Sequence, residues 1–395
     1  MRRWLVRFGA SQAMLDVQFW FPLWFIFLLD RGFSFAEAAA ADAIFRIGVV
    51  VLELPMGALA DRIGRQRAYL VLCGLTAVTF LAITLVRSFP VLIAVWLVWA
   101  VQWALASGLG AAISYDLASQ LPAGTRRRVF ARLRAASAAG VLVSLATAGA
   151  LYRLHPSVPF LLTAGLAVCA GLLASTIPRL EEVSRRAGWG LRDQLRWVRQ
   201  MLTGRRTGLL FGLAAVYLLL TWSIQILYQP LALELGLGLN ATALMFTACA
   251  VTGMLGTLAA AHWAQSSAWL AQVACGAVVA ALCFAIGVWP ALTATVFLPL
   301  LAMASAFGWT LTEYSVTDAV DHRFRATALS LVSVLAGVGI AIARPSLLIG
   351  AERTSASIAA GWWGISAFVL TGLLVVGALL WRRSDGVHDH APSGP

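Results

Sequence analysis

Residues 57–67 read GALADRIGRQR, and the flanking sequence gives this stretch its meaning. An apolar run over 38–60 precedes it and another over 68–87 follows. At 1.5 Å of helical rise per residue, each run is long enough to cross a hydrocarbon core of about 30 Å. One aspartate and three arginines fall between the two runs, with a glycine on either side of Asp61. The stretch is therefore the charged tip of a tight hairpin joining two membrane helices.

The rest of the chain fits that reading. It has 395 residues, 61% hydrophobic and only 12% charged, which excludes an ordinary soluble domain and points to a polytopic membrane protein. The net charge of +12 comes entirely from arginine, since the chain has no lysine. The arginines cluster in short connections, so the positive-inside rule accounts for them and no nucleic-acid partner is expected. Exclusive arginine together with Ala, Leu and Gly richness fits a GC-rich bacterial genome, and hence a bacterial cytoplasmic (inner) membrane. The five cysteines lie inside apolar runs without a CxxC pair and read as small packing residues, with neither a disulfide framework nor a metal site expected. Arg2, Arg3 and Arg7 precede an apolar run that no small-residue cleavage site closes, so this run is expected to remain as the first span.

Apolar runs of about 20 residues predict about twelve spans. They lie near 8–29, 38–60, 68–87, 90–116, 129–151 and 157–178, then 207–230, 240–262, 268–288, 291–316, 326–349 and 357–381. The expected fold class is an all-α membrane protein with two six-helix bundles, 1–178 and 207–395, separated by a linker over 179–206. With the N-terminus inside, the inner segments hold 23 arginines and the outer ones Arg31, Arg87, Arg153 and Arg353, which orients both termini to the cytoplasm. Arg46 and Arg344 stay within the membrane, and snorkelling is expected for Arg344 near its helix end. In the linker, Leu191, Leu195, Val198 and Leu202 share a helical face opposite Arg192, Arg196 and Arg199, so an amphipathic helix on the inner leaflet is expected.

The halves echo one another. VQFWFP at Val17–Pro22 resembles IQILYQP at Ile224–Pro230, each closing the first span of its half. RLRAAS at Arg132–Ser137 matches RATALS at Arg325–Ser330, each opening a fifth span. Internal six-helix repeats of this kind place a substrate site near the midplane.

On this evidence the chain resembles the major facilitator superfamily of secondary transporters over essentially its whole length. The family's loop signature, Gly-x-x-x-Asp-Arg-x-Gly-Arg-Arg/Lys, is met by Gly57, Asp61, Arg62, Gly64 and Arg65, with Gln66 in place of the next basic residue. The residues themselves suit the place: Gly57 admits close helix approach, Gly64 allows the turn, and the arginines suit anionic headgroups. The resemblance implies two bundles related by a pseudo-two-fold axis and a conformational latch in which these residues pair with an acid ending the fourth span, here Asp116. It further implies no cofactor and a small-molecule substrate, and LELP at Leu52–Pro55 with RATALS points to the drug or metabolite efflux branch. Two features depart from the pattern. The matching loop of the second half, from Gly256, has lost every charge, and the fifth span lacks the antiporter glycine-proline signature.

An ionised side chain at mid-membrane costs on the order of 2.5–3.5 kcal/mol, which makes those present functional candidates. Asp16 and Glu53 lie roughly 10–12 Å deep by helical rise, and the expectation is a proton carrier, Asp16 ahead of Glu53, with Glu313 as a further coupling candidate. Arg46 pairs with Asp42 at i,i+4 or with substrate. Gln18, Trp20, Gln102, Trp103, Trp222, Gln225, Trp309 and Tyr314 complete the expected cavity, whose aromatic character suits an amphipathic or aromatic ligand. The leading reading is proton-coupled export of such a compound by a monomer in contact with membrane lipids. Nutrient uptake by symport or facilitation, and a non-transporting sensor or lipid-handling protein, stay open. No metal cluster, nucleophile-base pair or phosphate loop marks an enzyme.

Overall fold

A helix satisfies every backbone N–H and C=O within its own segment, which a bilayer demands of lipid-exposed chain. The computed structural model describes residues 2–107, 109–110, 113–114, 117, 123–177, 191–263, 268–320 and 325–385, and all regular structure among them is helical. In order these are α1 (Arg2–Asp16), α2 (Trp24–Asp30), α3 (Phe35–Ile63), α4 (Arg65–Ile83), α5 (Phe89–Ala106), α6 (Ala123–Leu154) and α7 (Val158–Ser175). After the linker come α8 (Leu191–Thr203), α9 (Arg205–Ser223), α10 (Tyr228–Glu234), α11 (Leu239–Ala260), α12 (Ala268–Val288), α13 (Leu298–Asp318), α14 (Arg325–Arg353) and α15 (Ala356–Asp385). Ten helical segments among the described residues are long and apolar enough to cross a membrane. The α1–α2 pair and α3 fill the places of the first two spans. α3 has the length, 29 residues, but carries Glu37, Asp42, Arg46, Glu53, Asp61 and Arg62.

The first span departs from the single run expected over 8–29. Its helix starts at Arg2, stops at Asp16 and resumes only at Trp24. Pro22 lacks an N–H and disfavours helix in the residue before it, which suits the gap. The second half breaks at the matching place, where α9 passes through a 3-10 turn at Ile224–Leu227 into α10. Pro230 sits in the first turn of α10, where a missing N–H costs no helical bond. The echo between VQFWFP and IQILYQP is thus an echo of broken helices.

By compactness the chain divides into two units, Met1–Leu191 with Gly236–Thr247, and Arg192–Leu235 with Ala248–Pro395. Inside each, helices meet at small residues, as expected where lipid removes the hydrophobic drive for helix association. In the first unit α3 packs on α5 and α4 on α7. A Cβ built on Gly48 would lie 2.8 Å from that of Ala100, and one on Gly171 would lie 3.2 Å from that of Cys73. In the second unit α12 packs on α15, where a Cβ on Gly364 would lie 2.5 Å from the Phe284 nitrogen. Gly256 of α11 abuts the Met303 carbonyl of α13 just as closely as a missing side chain allows. Three of the five cysteines are buried, whereas Cys169 is exposed, so the packing role expected of all five does not extend to it.

Each half also ties the end of its first span to the start of its sixth. Arg31 donates to the carbonyls of Thr84 (2.9 Å) and Val86 (3.1 Å) and to Ser157 Oγ (3.4 Å), just ahead of α7. Burial lowers the Arg31 pKa below its ordinary value, with Arg87 adding to the effect and Tyr152 opposing it. In the second unit Glu234 accepts from the Ser357 backbone N–H (2.9 Å) and from its hydroxyl, capping the start of α15. The staple recurs with the opposite charge.

Within the second unit, α8 packs on α9. Trp197 is 6% exposed and meets the Phe211 ring edge-on at 6.4 Å, with Val198 and Met201 against the same core. Leu202, expected on the apolar face, is 41% exposed.

Candidate functional site

Polar side chains gather where the first span breaks. Asp16, the last residue of α1, accepts from Gln12 Nε2 (3.1 Å) on one oxygen and from the Ser137 hydroxyl of α6 on the other. Ser137 closes the RLRAAS motif, and neither it nor Gln12 is singled out by the sequence, because a serine in an apolar helix reads as a small packing residue. The chain just beyond the break is held to the same helix, since the Gln18 backbone N–H donates to Ser144 Oγ (3.2 Å). Gln12 lies against Gly110 of the fourth span, where a side chain would meet its amide.

Three residues before Gly110, the fourth span is interrupted at Ser107, whose ψ of 112° ends α5. The Ser107 hydroxyl donates to Glu53 Oε1 (3.1 Å), and Glu53 is 8% exposed. Both expected proton carriers are therefore reached from neighbouring points on the fourth span, Asp16 through Gln12 and Glu53 directly. Arg46 lies two turns from Glu53 on the same face of α3 and one turn from Asp42, with its guanidinium 5.4 Å from the Phe45 ring.

An aromatic ladder leads to this place. Trp96 and Trp99 meet at 5.3 Å, Trp20 stands edge-on to Trp99 at 4.8 Å and near Phe80 at 5.2 Å, and Phe45 touches Trp99 at 5.0 Å and Trp103 at 6.0 Å. Trp20, expected in the cavity, is 5% exposed and packed within the ladder. Trp103, at its end, keeps 37% of its surface open. Gln102 Oε1 is buried without a hydrogen-bond partner among the described residues.

In the second unit Trp222 and Gln225 lie at the matching break, and Trp222 packs against the same core as Trp309 of α13. Glu313, one turn beyond Trp309, is exposed, as is Tyr314. Arg344 is 6% exposed within the second unit, which replaces the snorkelling expected of it: position near a helix end fixes depth, but packing fixes which way the side chain turns.

At the hairpin tip, Gly64 adopts φ +89° and ψ 136° between α3 and α4, a backbone that a side chain would strain. Among the described residues no atom lies within 4 Å of a Cβ built on Gly57, so the close approach expected there is not present. Gln66, the residue that departs from the signature, donates to the Ile177 carbonyl (2.8 Å) just past α7 and so ties the tip to the sixth span. Arg62 is exposed and Arg65 half-buried. Asp116 lies outside the described residues, as does the side chain of Asp61.

The model of the Major Facilitator Superfamily matches residues 8–343. Among curated protein sequences none matches the chain. Solved structures with a similar fold include the nucleoside transporter NupG, 15% identical with a TM-score of 0.74 over 96% of this chain and 98% of that one. The human organic anion transporter MFSD10 is 16% identical with a TM-score of 0.67 over 94% and 99%, and a D-xylose-proton symporter is 15% identical with a TM-score of 0.65 over 96% and 95%. At such identities the likeness concerns the fold.

Proposed function

The chain belongs to the major facilitator superfamily of transporters, and from that premise we propose that it is a proton-coupled secondary transporter exporting a small amphipathic organic compound by alternating access. The observation that carries the reading is Asp16, a carboxylate at membrane depth, placed where the first span breaks and cradled on both oxygens by donors from two helices. Carboxylates at that depth are costly, and this one sits where a change of charge is felt by α1 and α6 together. Glu53 is the second proton-binding candidate and Glu313 a third. Gln18, Arg46, Gln102, Trp103, Trp222, Gln225, Trp309 and Tyr314 are the residues offered to substrate, with Trp20 supporting them through the ladder. Asp61, Arg62, Arg65 and Asp116, with Gly57 and Gly64, form the proposed latch.

Transport of this kind requires proton and substrate to favour different conformations. We place the protein as a monomer in a bacterial inner membrane, with both termini cytoplasmic and the arginine-rich segments against anionic lipid, on the distribution of arginine. The test is flux in proteoliposomes. An imposed pH gradient should drive a transported compound, and Asp16→Asn should leave its binding intact while ending the response to the gradient; an undiminished response in that variant removes Asp16 from the mechanism. Uptake is the second reading, favoured by the fold shared with a sugar-proton symporter and by the missing antiporter proline. Cells expressing the protein accumulate less of an exported compound and more of an imported one.

A further inference from the structure

α1 and α6 run parallel and meet in register at successive levels. A Cβ on Gly9 would lie 2.5 Å from the Leu133 methyl carbons, Asp16 meets Ser137, a Cβ on Gly140 would lie 3.3 Å from Val17 Cγ2, and the Gln18 N–H reaches Ser144. Contacts on either side thus hold Ser137 beside Asp16. Asp16 accepts two neutral donors, Gln12 Nε2 on Oδ1 and the Ser137 hydroxyl on Oδ2, and no cation pairs with it among the described residues. Of the titratable groups on the helices around it, Tyr69 of α4 shares a hydrogen bond with Ser11 (3.0 Å), Cys73 of α4 lies against Gly171, and Cys169 of α7 is exposed, as are Arg132 and Arg134 of α6. The described residues of the fourth span beyond Ser107 include none.

The two donors differ in what they can do when the carboxylate gains a proton. An amide nitrogen only donates, whereas a hydroxyl donates or accepts after rotation about one bond. Gln12 could accept only through Oε1, which is buried without a hydrogen-bond partner among the described residues and lies against Gly110, so the whole amide would have to turn. A rotated Ser137 hydroxyl finds an acceptor in its own helix, as Ser144 does at the Val141 carbonyl (2.8 Å) and Thr147 at that of Val143 (2.7 Å). The second unit carries the hydroxyl without the acid. Ser223 closes α9 where Asp16 closes α1 and donates back to the Leu219 carbonyl (2.7 Å), and Ser330 stands where the first half has Ser137.

We propose that Ser137 is a positioning residue of the proton site: its hydroxyl turns from donor to acceptor when Asp16 takes up a proton, which fixes the proton on Oδ2 and keeps α6 bonded to α1 in both charge states. The proton comes from solvent and forms one O–H bond; nothing else changes but hydrogen bonds. The Asp16 O–H then donates to Ser137 Oγ, and Gln12 still donates to the carbonyl oxygen Oδ1. The tie passes from a charge-assisted bond to a neutral one of roughly half the strength, so α6 feels the charge of Asp16 through this hydroxyl. This role rests on the reading of Asp16 as the proton carrier.

Infrared difference spectra of the purified full chain, taken across pH, test it through the C=O stretch of protonated Asp16, identified as the band that Asp16→Asn removes. Ser137→Ala deletes a donor to the charged form, so the midpoint of the band should move up by about 1–2 pH units. Ser137→Thr keeps the hydroxyl and should restore the midpoint. Because the proton is assigned to Oδ2, Gln12→Leu frees the C=O and should raise its frequency more than Ser137→Ala does, a comparison that native and Gln12→Leu proteins begin without altering Ser137. Melting curves accompany every variant. A midpoint unmoved in folded Ser137→Ala, no rescue by threonine, a larger frequency rise from Ser137→Ala than from Gln12→Leu, a frequency unchanged in Gln12→Leu, or no Asp16 band at any pH where the chain stays folded overturns the assignment. Flux separates the two readings. If gradient-driven transport needs Asp16 while the midpoint ignores Ser137→Ala, transport stands and this role falls; if the band behaves as described and a pH gradient moves nothing, this role stands and transport falls.

Discussion

Replacing Gly308 by alanine sets a methyl group on the Tyr217 hydroxyl, and the consequence can be followed atom by atom. Tyr217 of α9 is 1% exposed and donates to the backbone carbonyl of Ala304 (3.1 Å) on α13. A Cβ at position 308 would meet that hydroxyl first, then Cζ at 2.5 Å and Cε2 at 3.0 Å. The ring is enclosed, so it has no free path away from the methyl. Displacing the hydroxyl leaves a buried donor unmet at about 1–3 kcal/mol, and the overpacking costs about 1–3 kcal/mol more. Gly308→Ala is therefore expected to destabilise the protein by about 2–6 kcal/mol. Tyr217→Leu shortens the side chain and opens a void, at about 2–4 kcal/mol by analogy with other large-to-small changes. In the double variant the new methyl enters space that the ring has vacated, so the costs should fall short of additive by at least about 1 kcal/mol. Unfolding in mixed micelles of increasing SDS content, followed by circular dichroism, measures all four proteins. Costs that add, or a Gly308→Ala protein as stable as the parent, would refute the reasoning.

Other changes probe other joints. Gly64→Ala at the hairpin tip should cost about 1–3 kcal/mol in the same titration, because φ +89° with ψ 136° is a backbone nearly confined to glycine. Arg31→Lys should destabilise almost as much as Arg31→Ala, since one ammonium does not span the Thr84 and Val86 carbonyls and the Ser157 hydroxyl; full rescue by lysine would count against the staple. Glu234→Ala removes the cap on α15 and should cost about 0.5–2 kcal/mol, with earlier hydrogen exchange in its first turn. Trp197→Ala should cost about 3–5 kcal/mol and hasten proteolysis of α8, whereas Arg199→Ala on its exposed side should leave both nearly unchanged.

Much of this architecture was legible in the chain because the bilayer imposes it. Runs near twenty apolar residues located the spans, and the α3–α4 turn falls at Gly64 within the stretch that first marked the hairpin. The break in the first span was harder to see, because Val17–Pro22 is apolar enough to pass for helix and only its echo at Ile224–Pro230 hinted otherwise. Charge marked Asp16 and Glu53, yet their donors Gln12, Ser107 and Ser137 carry no charge, and the two serines lie far away in sequence. Hydropathy gives depth and says little about azimuth, which is why Arg344 turned out buried and why Trp20 sits inside the ladder while Trp103 stays open. The face of α8 shows the same limit, since its period was plain but its docking on Phe211 needed the tertiary fold.

The central claim is that proton movement through this protein is tied to substrate at Asp16. Proteoliposomes loaded with a pH-sensitive dye measure it most directly: a transported compound is added outside with no imposed pH gradient, and the lumen is watched. Exchange coupled through Asp16 predicts a substrate-dependent pH change in vesicles carrying the native protein and none in those carrying Asp16→Asn, although both bind the compound. Substrate entry with no pH change in the native protein, or an equal change in the variant, would contradict it.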